Sequence, residues 1–298
     1  MTAQLLEGGP LATQIRGEIA RDVKALKEKG RQVCLACVQV GDKSESVLYI
    51  KNQQKVCAEV GIQFHLEPLP NTISQGGLQN VIEKLNRDPR VHGIILQVPL
   101  PARLDARLAQ RTINPRKDAE GVHPVNLGLI FYGVTQRAPC TATAAYQLLK
   151  SLHVDLYGKE AVVVGHSQIV GKPIGLLLLH DYCTVSTCHI ATRDLALHTQ
   201  RADILVVAAG KPGLIKKEMV KPGAIVLDIG VNRVPLRDEK GQPVLNEKGL
   251  PKHKIVGDVD FDGVKEVAAY ITPVPGGVGP LTVTMLLRNV IEAGKQEA

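Results

Sequence analysis

The sequence predicts an α/β protein built from two α/β domains, the second a Rossmann-type parallel sheet, with an interdomain cleft. Three observations carry this. Apolar strand-like runs alternate with stretches in which apolar residues recur every three or four positions. The alternation stops and starts again near residue 140. A turn at 165–171 runs directly from an apolar strand into an apolar helix. The length of 298 residues fits two domains of ~150 residues each.

The elements follow in order. Leu11, Ile15, Ile19, Val23 and Leu26 predict an amphipathic helix over 10–29. Val33–Val40 is a continuous apolar run, as in a strand covered on both faces. Val47–Val60 has helical spacing, and Gly61 suits the position just past its end. Ile62–Leu69 reads as a strand, Ser74–Leu85 as a helix capped by Ser74, and Val91–Val98 as a strand that ends in VPLP. This β-α-β-α-β order calls for parallel strands joined by right-handed crossovers. After the restart, Thr143–Leu152 reads as a helix, Glu160–Val164 as a strand, and 170–179 as an apolar helix. Strands are expected at Thr184–Cys188, Ile204–Ala208 and Ala224–Asp228. Residues 235–254 are polar and rich in Lys, Pro and Gly, as in a hairpin or surface excursion. An apolar helix follows Pro280. The domains are therefore expected over 1–139 and 140–279, with the helix at about 280–298 assigned to the first, a placement that the sequence alone leaves open.

Composition narrows the partners. The net charge of +7 permits an anionic partner, but aromatics are only 3% with no Trp, and no run of five basic residues occurs. That argues against nucleic acid, which needs stacking platforms and basic tracts, and favours a small anionic ligand. No apolar stretch approaches the ~18 residues of a membrane span. The N-terminus MTAQLLEGGP lacks the basic region of a signal peptide. Cys34 and Cys37 form a C-x-x-C inside a strand, where i and i+3 face opposite ways, so they do not form a metal pair. The six cysteines read as ordinary thiols of a reducing cytoplasm, and no metal site is expected.

The 165–171 turn stands in the context of a dinucleotide fingerprint. Gly165 takes the place of the first glycine, Ser167 the second and Val170 the third, with Gly171 one residue late; His166 and Ile169 complete the turn. The alternative is an ordinary tight βα turn. After the next strand no acid occupies Cys188–Thr192, while Arg193 could meet a 2′-phosphate, which favours NADP over NAD. Ala209-Gly210 and Gly230-Val231 follow two further strands at their carboxyl ends, where open α/β sheets bind ligands.

The strings VLYIKNQQKVCAEVGI, VHGIILQVPLP, KDAEGVHPVN, VVVGHSQIVGKP, VVAAGKPG, AIVLDIGVN, IVGDVDF and ITPVPGGVGPLTV span essentially the whole chain. Together they resemble the bifunctional methylenetetrahydrofolate dehydrogenase/methenyltetrahydrofolate cyclohydrolase (FolD) family, and Pro273–Pro280, PVPGGVGP, is the most specific of them. The resemblance implies a cytoplasmic homodimer that oxidises 5,10-methylenetetrahydrofolate with NADP, NAD being the alternative, and then hydrolyses the methenyl product. It implies one-carbon derivatives of tetrahydrofolate as ligands. They would contact Tyr49, Gln97, Val98, Pro99, Asp118, Glu120, Pro275, Gly276 and Gly277, with Gly279 near the cofactor. The Val98–Pro99 and Val274–Pro275 bonds are candidates for cis peptides.

The chain departs from the family pattern in four places. The family motif places a catalytic lysine four residues after the tyrosine; here that residue is Gln53, on the same helix face as Tyr49. Lys51 lies ~200° from Tyr49, and Lys55 ~200° beyond Gln53, so neither substitutes. Glu120 stands where the pattern has aspartate, and CTATA at Cys140–Ala144 where it has C-T-P. His166, Ile190 and Ala191 stand where the NADP region commonly has a basic residue, a serine and a second basic residue. Tyr49, Gln53, Gln97 and Glu120 form the expected catalytic group. Hydride transfer needs alignment of the reactants, whereas hydrolysis needs a group that gives and takes protons, which an amide cannot do. The leading expectation is a dehydrogenase with strongly reduced hydrolysis. A fully bifunctional enzyme and a non-catalytic folate- or nucleotide-binding homologue are the alternatives. Asp258 is read as structural.

Overall fold

The structure is a computed structural model that describes residues 2–41, 44–238, 242–245 and 249–296, with the side chains of 44–48 excepted. The chain begins with β1 (Gln4–Leu5), α1 (Gly8–Glu28), β2 (Cys34–Val40), α2 (Ser44–Val60), β3 (Gln63–Leu69) and α3 (Gln75–Arg87). Next come β4 (Gly93–Leu96), α4 (Ala106–Thr112), α5 (Pro124–Phe131), α6 (Cys140–Lys150), β5 (Glu160–Val164) and α7 (Gly171–His180). Then follow β6 (Thr184–Cys188), α8 (Leu195–Thr199), β7 (Ile204–Val207), β8 (Ile225–Asp228) and the pair β9 (Asn232–Pro235) and β10 (His253–Val256). The chain closes with α9 (Phe261–Lys265), β11 (Tyr270–Ile271) and α10 (Gly279–Gln296). It divides into two compact units, residues 12–143 with 282–298, and residues 1–11 with 144–281. No helix among the described residues is long and apolar enough to cross a membrane.

In the unit of residues 12–143 the sheet order is β3-β2-β4, parallel throughout, with Cys34 opposite Gln63 and Leu35 opposite Gly93. The central strand β2 is buried at all seven positions, which is why its sequence is almost unbroken apolar. On one face Leu78, Ile82 and Leu85 of α3 pack with Ala36, Val38, Ile94 and Leu96. Each such aliphatic side chain contributes ~1.5–3 kcal/mol by leaving water. Ser74 caps α3 by accepting from the Gly77 N–H at 3.1 Å, and α2 ends at Gly61, whose φ is +83°. Residues 117–119 lie along β4: the Ile94 N–H donates to Lys117 O at 2.6 Å, and Ala119 N–H to Ile94 O at 3.2 Å. α10 packs over the start of β4, where a Cβ on Gly93 would stand 2.6 Å from Val290.

The other unit holds a six-stranded parallel sheet of order β1-β11-β8-β7-β5-β6. The chain leaves β5 for β6 on one side and returns for β7 on the other. The carboxyl ends of β5 and β7 thus form the switch point at which such sheets open a crevice. The polar stretch read as a hairpin is framed by antiparallel β9 and β10, which pair Pro235 with His253; residues 239–241 and 246–248 lie outside the described residues.

Several features differ from the sequence reading. Residues 1–11, read with the first unit, lie with the second, because β1 pairs with β11 and extends the larger sheet. Two-residue strands such as β1 and β11 carry no readable periodicity. α4 and α5 were unread for a similar reason: they are seven and eight residues long and owe their starts to caps, Asp105 accepting from Arg107 N and Leu108 N, and His123 Nδ1 accepting from Val125 N.

Candidate functional site

In the unit of residues 12–143, α2 carries Tyr49 and Gln53 one turn apart. Gln53 is 0% exposed, whereas Tyr49 is 40% exposed. Lys51 is exposed, and Lys55 has 76% of its side chain in solvent, 4.0 Å from Glu59. Neither lysine reaches the face of Gln53. Gln97, just past β4, is buried and donates through Nε2 to Gln53 Oε1 at 3.0 Å. The same Nε2 lies 3.5 Å from the Cys37 Sγ of β2, and the Cys37 thiol donates to Gln53 Oε1 at 3.9 Å. Among the described residues no acceptor meets the buried Gln53 Nε2 at full hydrogen-bond geometry, and the Tyr49 phenol is the side chain with which the amide interacts.

The loop after 117 brings Glu120 to the same group. Asp118 is buried, and its carboxylate accepts from Gly121 N at 3.0 Å, His123 N at 2.8 Å and Asn126 Nδ2 at 2.8 Å. Asp118, expected among the substrate contacts, therefore has both oxygens turned into its own loop. Gly121 is required there: its φ is +74°, and a Cβ would meet Arg137 O at 2.5 Å. Glu120 is half-buried, and its carboxyl makes no hydrogen bond among the described residues. Burial, reinforced by the Asp118 charge, pushes its carboxyl up to about 8. Burial and then the Glu120 charge push the Tyr49 phenol up to about 12, and burial pushes the Cys37 thiol up to about 12. Cys140, also influenced by Glu120, is raised well above the usual thiol value, chiefly by burial. At neutral pH the group presents neutral amides, a thiol, a phenol and a carboxyl that holds its proton. Val98 and Pro99 are exposed beside it, and their peptide bond is cis.

In the other unit, Gly165 closes on the end of β7: a Cβ there would stand 2.1 Å from Ala208 O. Gly171 closes on Gly165: its Cβ would stand 1.9 Å from Gly165 O. The reading that gave Val170 the third glycine's place is corrected, since Gly171 permits the close approach of helix and strand. Ser167 Oγ accepts from Val170 N at 3.2 Å and Gly171 N at 3.4 Å, which leaves its own proton free to donate outward. Among the described residues the N–H groups of His166, Ser167, Gln168 and Ile169 make no hydrogen bond. Four successive free donors before a helix form a cradle for an anion.

His166 meets His189 edge-on, with ring centroids 5.3 Å apart. Arg193 is exposed nearby in sequence, and Ile190 is fully exposed. The Ala209 and Gly210 N–H groups, expected near a cofactor, point inward and donate to Asp258 Oδ2 at 2.6 and 2.8 Å. Gly230 N donates to Asp228 Oδ1 at 3.0 Å, and Val231 beside it is exposed. The N–H groups of Ala209, Gly210 and Gly230 are therefore taken within the protein. Burial raises the Asp228 carboxyl to about 6. Gly276 has φ +116°, its carbonyl accepts from Gly8 N at 2.9 Å, and Gly277 N donates to Pro273 O at 2.8 Å. The Val274–Pro275 bond is cis, and Gly279 opens α10.

Cys37 was missed as a site residue. The available signal was Gln39, a polar residue two positions on in an apolar strand, on the same face.

Residues 6–120 match the family described as tetrahydrofolate dehydrogenase/cyclohydrolase, catalytic domain, and residues 139–298 match its NAD(P)-binding domain. The chain is 49% identical over 298 residues to the bifunctional protein FolD of Geobacillus thermodenitrificans, covering 100% of this chain and 99% of that one. The crystal structure of the bifunctional dehydrogenase/cyclohydrolase FolD from Campylobacter jejuni superposes with a TM-score of 0.91 at 42% identity, over 99% of this chain and 100% of that chain. The Trypanosoma brucei FolD structure, complexed with NADP cofactor and inhibitor, gives 0.90 at 36% identity, over 100% and 99%. With both halves matched and the likeness running end to end, the chain belongs to the tetrahydrofolate dehydrogenase/cyclohydrolase family.

Proposed function

We propose that this chain oxidises 5,10-methylenetetrahydrofolate to the methenyl form with NADP, and that it hydrolyses the methenyl product poorly. The observation that carries the second half is Gln53: a buried amide beside Tyr49 and Gln97, at the position where the family motif has its lysine, with Lys51 and Lys55 directed to solvent. An amide can bind and orient but cannot shuttle a proton. Tyr49, Gln97 and Glu120 are assigned to the folate, with Val98 and Pro99, while Asp118 orders the loop that presents Glu120.

The free N–H groups at 166–169 suit a pyrophosphate, and the missing side chains of Gly165 and Gly171 let the start of α7 approach the ends of β5 and β7. His166 and Arg193 are the groups available to a 2′-phosphate. When bound, NADP supplies the hydride acceptor. The protein holds the reduced folate through amide and hydroxyl groups. Its neutral surroundings place no negative charge against the cation that forms, as long as Glu120 keeps its proton. We further propose a cytoplasmic homodimer, for which the solution mass is the test.

The experiment is a pair of assays on the pure protein, methylene-folate oxidation with NADP or NAD, and loss of methenyl-folate absorbance. Rapid oxidation with NADP and hydrolysis near the uncatalysed rate are expected, with Gln53→Lys raising hydrolysis ~100-fold or more. Wild-type hydrolysis as fast as oxidation would overturn the reading. One observation favours a second reading in which hydrolysis survives: the Glu120 carboxyl, pushed up to about 8, can exchange a proton near neutrality. In that case Glu120→Gln abolishes the hydrolysis.

A further inference from the structure

The unit of residues 12–143 carries a row of arginines that its fold does not use. Arg103, Arg107 and Arg111 are exposed, and none of them forms an ion pair among the described residues. Arg16, Arg87, Arg90 and Arg201, by contrast, each stand within 4.0 Å of a carboxylate. Asp105 is the only acid between Gln97 and Arg116, and its carboxylate accepts from Arg107 N at 2.9 Å and Leu108 N at 3.1 Å. The row begins beside the folate-side group. Arg103 follows Pro99 by four residues, through a turn in which Leu104 N donates to Pro101 O at 2.9 Å. Its guanidinium donates to Asn71 O, just past the end of β3, so it stands at the same end of the three-stranded sheet as Gln97. α4 continues the row: Arg107 and Arg111, ~6 Å apart along the axis, share the face opposite the buried Ala109. Helix stability does not call for this pattern, since a cation in the first turn, where Arg107 sits, opposes the helix dipole.

We propose that Arg103, Arg107 and Arg111 hold the glutamate tail of the folate when that tail is extended into a γ-linked oligoglutamate chain. This rests on the folate reading above and deepens it. A γ-linkage lengthens the extended repeat to ~6 Å, against ~3.5 Å for an ordinary peptide, and each repeat carries one α-carboxylate. That repeat matches the spacing of Arg107 and Arg111, and a guanidinium donates to a carboxylate through two parallel hydrogen bonds. A folate with a single glutamate reaches only the start of the row, and each added glutamate brings one more carboxylate to it.

The test is calorimetric titration of the full chain with 5-formyltetrahydrofolate, a reduced folate that does not react, in its monoglutamate and pentaglutamate forms. Wild type should bind the pentaglutamate ~10-fold more tightly at ~50 mM salt, and the advantage should shrink to ~2-fold at ~0.5 M, where exposed charges are screened. Arg107→Gln/Arg111→Gln should lose most of the advantage at low salt while its monoglutamate Kd stays within ~2-fold of wild type. Arg21→Gln/Lys24→Gln removes the same charge from exposed positions of α1 and should keep the advantage. Equal affinity of wild type for the two folates, an advantage that survives Arg107→Gln/Arg111→Gln, or one lost equally in Arg21→Gln/Lys24→Gln overturns the inference and leaves the proposed function standing. Failure of the wild-type chain to bind either folate overturns both.

Discussion

Asp258 joins three loops of the nucleotide-side unit, and removing its carboxylate should be among the most damaging single changes there. It is 0% exposed. Oδ2 accepts from Ala209 N at 2.6 Å and Gly210 N at 2.8 Å, and Oδ1 from Asn232 Nδ2 at 2.7 Å. Its own N–H donates to Asp228 Oδ1 at 3.0 Å, and Gly230 passes so close that a Cβ would stand 2.2 Å from its carboxyl carbon. Asp258→Ala strands three donors at once. Hydrogen bonds to a charged group contribute ~1.5–3 kcal/mol each. The three share one acceptor group, and water can enter the vacated space, so the losses do not add; we expect ~3–5 kcal/mol in all. Against a stability of ~5–15 kcal/mol that is a large fraction. Urea denaturation should show the midpoint falling accordingly, and NADP affinity should drop ~10-fold or more, since the turns after β7 and β8 lose their anchor. Asp258→Asn should be milder, at ~1–2 kcal/mol, because its oxygen can still accept from Ala209 and Gly210 once the Asn232 amide turns round. An unchanged midpoint in Asp258→Ala, or an Asn variant worse than the Ala variant, would refute the reasoning.

Two further outcomes follow from the close contacts and buried charges of the two units. Gly171→Ala should cost ~1–3 kcal/mol and weaken NADP binding. Its Cβ would lie 1.9 Å from Gly165 O and 3.0 Å from the His166 Cα, backbone that cannot move aside, whereas Gly175→Ala, which meets Val185 only at 3.6 Å, should be tolerated in both readouts. Glu120 gives a pH signature: its carboxyl is raised from 4.5 to about 8, so the folded chain keeps a proton that the unfolded chain releases across that window. Stability from this group therefore falls as pH rises through it. The thermal midpoint of wild type relative to Glu120→Gln should be lower at pH 8.5 than at pH 5.5, and equal differences at the two pH values would contradict the assignment.

The sequence carried the sheets well and the site unevenly. β5 fell at its expected bounds because a strand covered on both faces is spelled as an apolar run, whereas the edge strand β6, TVSTC, owes its legibility to the β-branched Thr184, Val185 and Thr187. The Ser74 cap and Gly61 were legible because each answers a local backbone demand. Gly171 was misplaced because the motif counts positions, whereas the structure is governed by which residue passes within 1.9 Å of a carbonyl oxygen. Asp118 was read toward the ligand and points into its loop. Its partners Gly121, His123 and Asn126 are local, but nothing in the string says which way a carboxylate turns. Cys37 was hidden for a different reason: its partners lie 16 and 60 residues away, and only the pairing of β2 with β4 brings Gln97 to it.

The buried polar groups of this chain divide by whether the chain itself satisfies them. Asp228 accepts from Gly230, Asp258 and Val259, Asp258 from three donors, and Asp118 from three. Such groups fasten backbone, and their loss should appear first in stability. Among the described residues two buried side-chain atoms lack a hydrogen bond of full geometry, Glu160 Oε2 and Gln53 Nε2. The first has the Arg201 guanidinium 3.9 Å away, so a counter-charge already faces it. Gln53 Nε2 has no such neighbour. Its amide lies beside the Tyr49 phenol, with which it shares a side-chain hydrogen bond. An apolar side chain at this point of α2 would deprive Gln97 Nε2 and the Cys37 thiol of their acceptor, so the amide also serves the fold. Gln53 thus differs from the buried carboxylates in that its partners Tyr49 and Gln97 are residues assigned above to the folate, and its substitution should register in folate binding as well as in stability.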